Sequence, residues 1–307
     1  MLIDVHAHIF PAVAGQVGAG PTRGLGYGRI RVGDRVEQLM PPCGARTVFS
    51  AETLMASMDW AGVDRAVLLQ GTFYGPCNDY ALAAVERYPE RLRAAAWLDP
   101  WLPDAHAALD AIVAAQGYCA VKLECSEPTG LLGLHPGARL DDPALDWLWA
   151  ALAAQRLVLV LDLGAVGSAS YQTDAVRAIA LRHSALRLVI AHLGQPTPRA
   201  EAEPALWRQW CAQIDLGRLP NVWFDSAALP AYTAEEGYPF PSAARYLELA
   251  LAGIGAKILW GSDLPGMLVH ATYAQLARLA ELHTRRLAPA DRVRILSGNA
   301  LAVYWGQ

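Results

Sequence analysis

Several features that would assign this chain to a common functional class are missing from its sequence. Its five cysteines form an odd set without Cys-x-x-Cys spacing, which is typical of reduced thiols and argues against a disulfide scaffold or a zinc knuckle. The net charge is −4, and the basic residues are scattered along the chain, so the sequence offers no basic field for nucleic acid. No apolar run reaches the roughly 20 residues that a bilayer-spanning helix needs. We therefore expect neither a nucleic-acid nor a membrane partner.

A signal for export is also missing. Met1 leads directly into a strand-like apolar run, without a positive region or a cleavage site, so a cytoplasmic location is expected. With 307 residues, 54% of them apolar and only 18% charged, the chain can bury a large core. Disorder is therefore not expected, and the length allows one large domain or two small ones.

What the sequence does contain is a regular alternation of strand-like apolar runs and longer amphipathic helical runs. The expected strands are residues 2–6, 65–70, 93–98, 119–124, 157–162, 187–192, 221–226 and 257–262. The expected helices are residues 52–61, 78–87, 103–116, 143–155, 173–183, 203–218, 242–253 and 270–282. Eight β/α repeats in one continuous series predict a (β/α)8 TIM barrel that occupies residues 1–307 as a single domain. A doubly wound open sheet is the competing fold, but no Gly-rich phosphate fingerprint follows the first strand.

One insertion interrupts the alternation between the first strand and the first helix. Residues 11–47 are rich in glycine, and residues 30–39 are predicted to form a hairpin that turns at Gly33-Asp34. In a barrel this loop would lie over the catalytic mouth, where long loops are often lids or substrate clamps. Its arginines, Arg29 and Arg31 among them, are candidates to pair with an anionic substrate, although a solvated surface loop explains any one of them equally well.

The strongest chemical signal is the pair His6 and His8 at the end of the first strand. Residues two apart on a strand point to the same side, so both imidazoles can bind one metal ion. Asp263, at the end of the eighth strand, is the candidate carboxylate, because the first and eighth strands are neighbours in a closed barrel. His, His and carboxylate form a sufficient ligand shell for a catalytic divalent ion with a place left for water.

Other strand ends carry further candidates. His192 ends the sixth strand, where it could complete the metal shell, polarise a substrate carbonyl, shuttle a proton or remain a neutral structural residue. Lys122 and Glu124 alternate in phase on the fourth strand. Lys122 could bind a substrate carboxylate, become carboxylated and bridge two metals, or form an ion pair with Glu124 or Asp162. Asp263 could also act as a general base.

Taken together, these motifs resemble the amidohydrolase superfamily, in its amidohydrolase-related (amidohydrolase 2) branch. The matching segments run almost from end to end: Ile3-Asp-Val-His6-Ala-His8, Met58-Asp-Trp-Ala-Gly62, Leu98-Asp-Pro100, Ala120-Val-Lys122, Ile190-Ala-His192-Leu-Gly-Gln-Pro196, Trp260-Gly-Ser-Asp263 and Ile295-Leu-Ser-Gly-Asn299. That branch contains metal-dependent hydrolases, lactonases and non-oxidative decarboxylases. The motifs are specific to the branch and not to a substrate.

The resemblance implies one divalent ion, zinc or alternatively manganese, held by His6, His8 and Asp263, with His192 as a ligand or catalytic residue. One position departs from the branch, since many relatives carry a metal-binding histidine at the end of the fifth strand where this chain has Asp162. Asp162 could still ligate a metal, as could Glu124. An aspartate there also resembles the sugar-lactonase branch, some of whose members hold a metal weakly or not at all.

The predicted function is metal-dependent hydrolysis of a small carboxylated lactone, ester or amide. The ion would activate a water, Asp263 would take its proton, His192 would steady the oxyanion, and Lys122 with Arg29 or Arg31 would orient the acid group. The alternative is a non-oxidative decarboxylase of an aromatic or dienoic acid, in which the ion would hold the substrate carboxylate. A metal-free binding or scaffolding barrel is a rival from another class. The resemblance also implies a homodimer as a possible assembly.

Overall fold

A computed structural model describes residues 1–307, and its strands and helices alternate along the chain. The strands are Ile3–Ala7 (β1), Gln16–Val17 (β2), Gly20–Gly26 (β3), Arg29–Val32 (β4), Arg35–Gln38 (β5), Arg65–Leu68 (β6), Leu92–Trp97 (β7), Tyr118–Glu124 (β8), Val158–Asp162 (β9), Leu188–Ile190 (β10), Val222–Asp225 (β11) and Ile258–Leu259 (β12). Each of the eight predicted strands overlaps one of β1 and β6 to β12. The alternation in the sequence therefore located every strand of the main sheet.

The α-helices lie between these strands and after the last one. They are Ala51–Ala61 (α1), Asn78–Arg87 (α2), Ala105–Ala114 (α3), Leu131–Leu134 (α4), Asp146–Ala154 (α5), Thr173–Arg182 (α6), Pro198–Ala202 (α7), Pro204–Ile214 (α8), Leu229–Tyr232 (α9), Pro241–Ile254 (α10), Tyr273–Thr284 (α11) and Pro289–Val293 (α12). Two short π-helical segments, Arg294–Gly298 and Leu301–Trp305, end the chain. None of the helices combines the length and the apolar character that crossing a membrane requires.

The main sheet is parallel, and its order β1-β6-β7-β8-β9-β10-β11-β12 follows the chain. Backbone hydrogen bonds connect its two outer strands. The Val5 N–H donates to the Trp260 carbonyl at 3.0 Å, and the Asp263 N–H donates to the His6 carbonyl at 2.7 Å. The sheet thus forms the expected single-domain (β/α)8 barrel, and its closure places the end of β1 beside the segment that follows β12.

Two apolar layers explain why these strands read as continuous hydrophobic runs. A cluster of 13 buried residues, including Ile3, Val5 and Val160, fills the barrel, and a cluster of 73 lies mainly between the strands and the surrounding helices. Parallel strands buried on both faces need apolar side chains at successive positions. Polar groups are therefore costly within the strands, and those at the strand ends stand out.

The insertion folds into its own four-stranded antiparallel sheet of β2 to β5. The predicted hairpin is present, with β4 and β5 paired on either side of Gly33-Asp34. Ile30 and Val32 are buried beneath the sheet, so the alternating Arg29 and Arg31 are exposed on the opposite face. The sheet attaches to the loop after β6, where the Gln16 N–H donates to the Thr72 carbonyl at 3.1 Å.

Candidate active site

A cavity of about 390 Å³ opens at the carboxyl ends of the barrel strands. It is lined by residues from many of the loops that follow these strands and by Leu39 of the insertion. The lining residues with polar side chains are His8, Tyr74, Lys122, Glu124, Ser126, Thr129, Asp162, His192, Gln195, Tyr232 and Asp263. The cavity therefore collects almost all the strand-end candidates of the sequence in one place, as expected for this fold.

Three of these candidates form a compact group of metal-ligand type. His6, His8 and Asp263 each offer one ligand atom, and these atoms all lie within 4.8 Å of one another. The Asp263 Oδ1 lies 3.0 Å from the His8 Nε2 and 3.7 Å from the His6 Nε2. Both imidazoles are buried, whereas the Asp263 side chain is 22% exposed towards the cavity. Two imidazole nitrogens and one carboxylate oxygen at these separations can share a single divalent ion.

The protonation states of these groups suit a metal. Burial lowers the pKa of His6 well below its ordinary value and also lowers that of His8, so both rings are neutral near pH 7. Burial opposes the charge of Asp263, but its hydrogen bond with His8 and the neighbouring imidazoles lower its pKa to about 2. Neutral imidazole and ionised carboxylate are the forms that bind metals.

The remaining ring nitrogens of the two histidines have partners of their own. The His8 Nδ1 lies 2.9 Å from the Leu69 carbonyl, and the His6 Nδ1 lies 3.0 Å from the Asp225 Oδ2. Metal-binding histidines commonly donate their second N–H to a carbonyl or a carboxylate. The two Nε2 atoms face the Lys122 Nζ at 3.4 Å (His6) and the Asp263 Oδ1 at 3.0 Å (His8), contacts that a bound ion would replace. The donor set therefore fits a divalent ion held by His6, His8 and Asp263.

His192 is engaged differently, in a buried pair with Asp162. Its Nε2 lies 3.0 Å from the Asp162 Oδ2, and both side chains are less than 10% exposed. Burial disfavours the imidazolium, but the Asp162 carboxylate outweighs it and raises the pKa of His192 to about 10. Burial likewise opposes the charge of Asp162, yet His192 and Lys122 hold its pKa well below the ordinary value. Near neutral pH the pair is thus an imidazolium and a carboxylate.

The backbone that carries His192 adopts an unusual conformation. His192, Leu193, Gly194 and Gln195 follow one another with φ of 59°, 51°, 66° and 54°, and left-handed conformations cost roughly 1–2 kcal/mol for each residue with a side chain. Hydrogen bonds to buried groups hold this turn in place. The Trp210 Nε1 donates to the Leu193 carbonyl and the Tyr171 hydroxyl donates to the Gly194 carbonyl, both at 2.8 Å. Strain held in this way is a common feature of functional sites.

Lys122 and Glu124 lie on β8, 3.3 Å apart between Nζ and Oε2, and the Lys122 Nζ also lies 3.4 Å from the His6 Nε2. Burial would lower the pKa of Lys122, but the surrounding carboxylates raise it above its ordinary value, so it remains an ammonium. Burial and the nearby Asp162 raise the pKa of Glu124 to about 7. Lys122 is the one lysine or arginine among the lining residues, and its binding of a substrate anion stays a prediction.

The other two carboxylate ligand candidates, Asp162 and Glu124, lie outside the group of His6, His8 and Asp263. The Asp162 Oδ1 accepts hydrogen bonds from the Gly164 N–H at 3.0 Å and the Gln195 side chain at 2.9 Å. The Glu124 Oε1 accepts one from the Ser126 hydroxyl at 2.6 Å. Protein groups thus already satisfy both carboxylates, and metal binding by either stays a prediction.

Arg29 and Arg31 are exposed and do not line the cavity. Only Leu39 brings the insertion to the cavity wall. Contact between these arginines and a substrate therefore also stays a prediction.

Sequence reasoning missed Asp225, the last residue of β11. Its side chain is fully buried beside His6 and the backbone of His192. The signal that pointed to Asp162 and Asp263, a carboxylate where a strand-like run ends, also exists at Asp225. Tyr74, in the turn after β6, and Tyr232, at the end of the four-residue helix α9, also line the cavity and were missed because segments this short carry no periodicity.

Comparison with known proteins agrees with this geometry. A family model described as Amidohydrolase matches residues 3–305. The chain belongs to the amidohydrolase family. An L-fucono-1,5-lactonase of Burkholderia multivorans (strain ATCC 17616 / 249) is 31% identical to this amidohydrolase over 143 residues, which cover 43% of the chain and 48% of the lactonase. The match thus spans about half the length of that curated relative.

Solved structures share the whole fold. An amidohydrolase from Burkholderia multivorans superimposes with a TM-score of 0.76 at 21% identity, covering 99% of both chains, and a second crystal form of it contains bound zinc. A probable 2-pyrone-4,6-dicarboxylic acid hydrolase from Acinetobacter baumannii superimposes with a TM-score of 0.69 at 19% identity, again over 99% of both chains. At these identities the similarity establishes the barrel fold of this amidohydrolase.

Proposed function

We propose that this protein is a metal-dependent hydrolase of a small lactone, ester or amide, including carboxylated ones. The observation that carries the proposal is the placement of His6, His8 and Asp263 within 4.8 Å of one another, beside the cavity that also contains the His192 imidazolium. Membership of the amidohydrolase family and the partial match to a lactonase support the hydrolytic reaction.

Each group in the cavity has a definable task in this reaction. A divalent ion bound by His6, His8 and Asp263 would polarise the substrate carbonyl and lower the pKa of a water molecule. Asp263, ionised and partly exposed to the cavity, accepts the proton of the attacking water. His192, held as an imidazolium by Asp162 and with its Nδ1 lying 3.3 Å from the Ala227 carbonyl, steadies by its positive charge the oxygen on which negative charge develops. When the acyl bond breaks, Asp263 returns this proton to the departing oxygen or nitrogen, so one water is consumed and the Asp263 carboxylate is regenerated.

Substrate binding is proposed to involve Lys122 on β8 and the loop that follows this strand. Lys122 supplies the positive charge that would hold a carboxylate, and Ser126 and Thr129 supply hydroxyl groups nearby. Glu124 competes for the same ammonium at 3.3 Å. A carboxylated substrate would therefore have to share Lys122 with this side chain.

The proposal is tested by activity against a panel of sugar lactones, pyrone carboxylates and simple esters, measured before and after chelation and again after adding zinc or manganese. We expect a lactone to be opened only by the metal-loaded protein, and Asp263→Asn to abolish turnover while its thermal unfolding stays cooperative. Asp215→Asn, at an exposed site, is the control for the same chemical change. Metal-independent turnover, or full activity of Asp263→Asn, would refute the mechanism. Release of CO2 from aromatic or dienoic acids would instead establish a decarboxylase.

A further inference from the structure

Asp225 is the one buried carboxylate that contacts both the His6 ring and the His192 backbone. Its side chain is inaccessible to solvent at the end of β11, between the histidine of β1 and the turn after β10. The Oδ2 lies 3.0 Å from the His6 Nδ1. The Oδ1 accepts hydrogen bonds from the His192 N–H at 2.9 Å and the Ala227 N–H at 3.0 Å. One side chain therefore joins a metal-ligand imidazole to the backbone that places the imidazolium.

A ligand role for Asp225 itself is the competing explanation. Asp225, His6 and His192 also bring potential ligand atoms within 4.8 Å of one another. However, the Oδ1 already accepts two backbone N–H groups, the Oδ2 faces His6, and the His192 Nε2 is engaged by Asp162. An ion in this place would have to displace several buried hydrogen bonds. The contacts instead describe a carboxylate that orients its neighbours.

The groups on either side of His6 fix the position of its proton. An ionised carboxylate can only accept, so the ring nitrogen that faces Asp225 must carry the hydrogen. On the other side, the Lys122 ammonium lies 3.4 Å from the His6 Nε2, and an ammonium can only donate. Both contacts require the same tautomer, with the hydrogen on Nδ1 and the lone pair on Nε2, which faces the Lys122 Nζ and lies 3.7 Å from the Asp263 Oδ1.

We propose that Asp225 is a positioning residue that selects the metal-binding tautomer of His6 and, with the same carboxylate, anchors the left-handed turn of His192. The inference rests on the proposed function only for the ligand, a divalent ion. The tautomer of His6 follows from the contacts of its two ring nitrogens. Outer partners of this kind typically change metal affinity 10- to 100-fold when they are removed.

Replacing Asp225 with asparagine separates the two tasks. The amide oxygen of Asn can still accept from the His192 and Ala227 N–H groups, whereas its NH₂ then faces the His6 Nδ1 as a donor. We expect Asp225→Asn to move the proton of His6 to Nε2, the nitrogen required by the metal. Asp225→Ala removes both contacts and is expected to loosen the turn as well.

Two measurements test this. The first is the tautomer of His6 in the metal-free protein, from ¹⁵N chemical shifts of the ring nitrogens assigned with a His6→Gln sample; we expect Nδ1–H in the unmodified chain and Nε2–H in Asp225→Asn. The second is the dissociation constant for zinc alone, from competition with a chromogenic chelator. Here we expect a 10- to 100-fold loss for Asp225→Asn and no change for the exposed Asp215→Asn.

An Nε2–H tautomer in the unmodified chain would overturn the inference, as would an Asp225→Asn protein that folds and binds zinc within twofold of the unmodified one. If Asp225→Asn fails to fold, the tautomer of the unmodified chain decides alone. If the unmodified chain binds no zinc, the proposed function fails, whereas the tautomer still decides the role of Asp225.

Discussion

Replacing Asp162 with asparagine should lower the free energy of unfolding far more than the same replacement of an exposed aspartate that contacts a histidine. Asp162 is the charge partner of His192, and the pair is buried at 3.0 Å. The substitution preserves the shape of the side chain, removes its negative charge and replaces one acceptor oxygen with an NH₂ donor. We expect the pKa of His192 to fall from about 10 towards its ordinary 6.5 and the folded state to lose the interaction of the pair.

The magnitude follows from the protonation equilibrium. Each tenfold change in proton affinity corresponds to about 1.4 kcal/mol, and the pKa of His192 lies several units above 6.5. We therefore expect the free energy of unfolding to fall by about 3–5 kcal/mol, which is also the usual cost of leaving one buried charge without its partner.

The loss should depend on pH in a defined direction. Because the folded-state pKa of His192 is raised, its stabilising contribution is complete below about pH 6.5 and disappears as the pH rises through about 10. The lowered pKa of Asp162 adds stability above its ordinary 3.8. The difference between the unmodified chain and Asp162→Asn should therefore be largest between about pH 4 and 6.5 and shrink towards pH 10.

Urea unfolding of the metal-free proteins at several pH values measures this difference, and NMR titration of the His192 ring measures its pKa. Asp146→Asn is the matched control, because the Asp146 Oδ1 lies 2.8 Å from the His183 Nε2 but its side chain is 43% exposed. We expect a much smaller effect there, since solvent screens exposed pairs. Equal losses for the two variants, or a His192 pKa that stays near 10 in Asp162→Asn, would refute the reasoning.

Two further substitutions probe the left-handed turn after Ile190 and the contact between Lys122 and Glu124. Gly194→Ala should destabilise the protein by roughly 1–3 kcal/mol and lower the rate of turnover, because φ is +66° and an added Cβ would lie 2.4 Å from the Gln213 Oε1. Gly253 lies in α10, and a Cβ added there would be 3.8 Å from its nearest neighbour, a side-chain atom of Ile214. Gly253→Ala should therefore stabilise the protein by roughly 0.5–1 kcal/mol in the same thermal assay. A Gly194→Ala protein at least as stable as Gly253→Ala would contradict this expectation. Glu124→Gln should release Lys122 and lower the KM for a carboxylated lactone relative to an uncharged one, and equal changes in both KM values would show that Lys122 does not bind the acid group.

The sequence was sufficient for the barrel and for the proximity of His6, His8 and Asp263, for a physical reason. Buried parallel strands exclude polar side chains, so His6, His8 and Asp263 were visible as exceptions where apolar runs end. Barrel closure then determines that the first and last of these ends are neighbours. Asp225 carries the same signal and could have been found by applying the rule to the seventh strand.

Other features depend on tertiary contacts that local patterns do not encode. The pairing of Asp162 with His192 joins residues at the ends of two neighbouring strands, but only the geometry shows that their side chains lie 3.0 Å apart. The left-handed turn after Ile190 depends on the distant Trp210 and Tyr171. In the insertion, alternation predicted the hairpin, whereas the face that packs on the barrel, and hence the exposure of Arg29, is decided by docking.

The most direct test of the account is a structure of the protein loaded with zinc, combined with the zinc content of the unmodified chain and of His6→Ala. The account predicts one zinc ion per chain, coordinated by the Nε2 atoms of His6 and His8 and by the Asp263 carboxylate at about 2.0–2.2 Å, and its loss in His6→Ala. Zinc bound by other residues, or none bound in a folded protein, would contradict it.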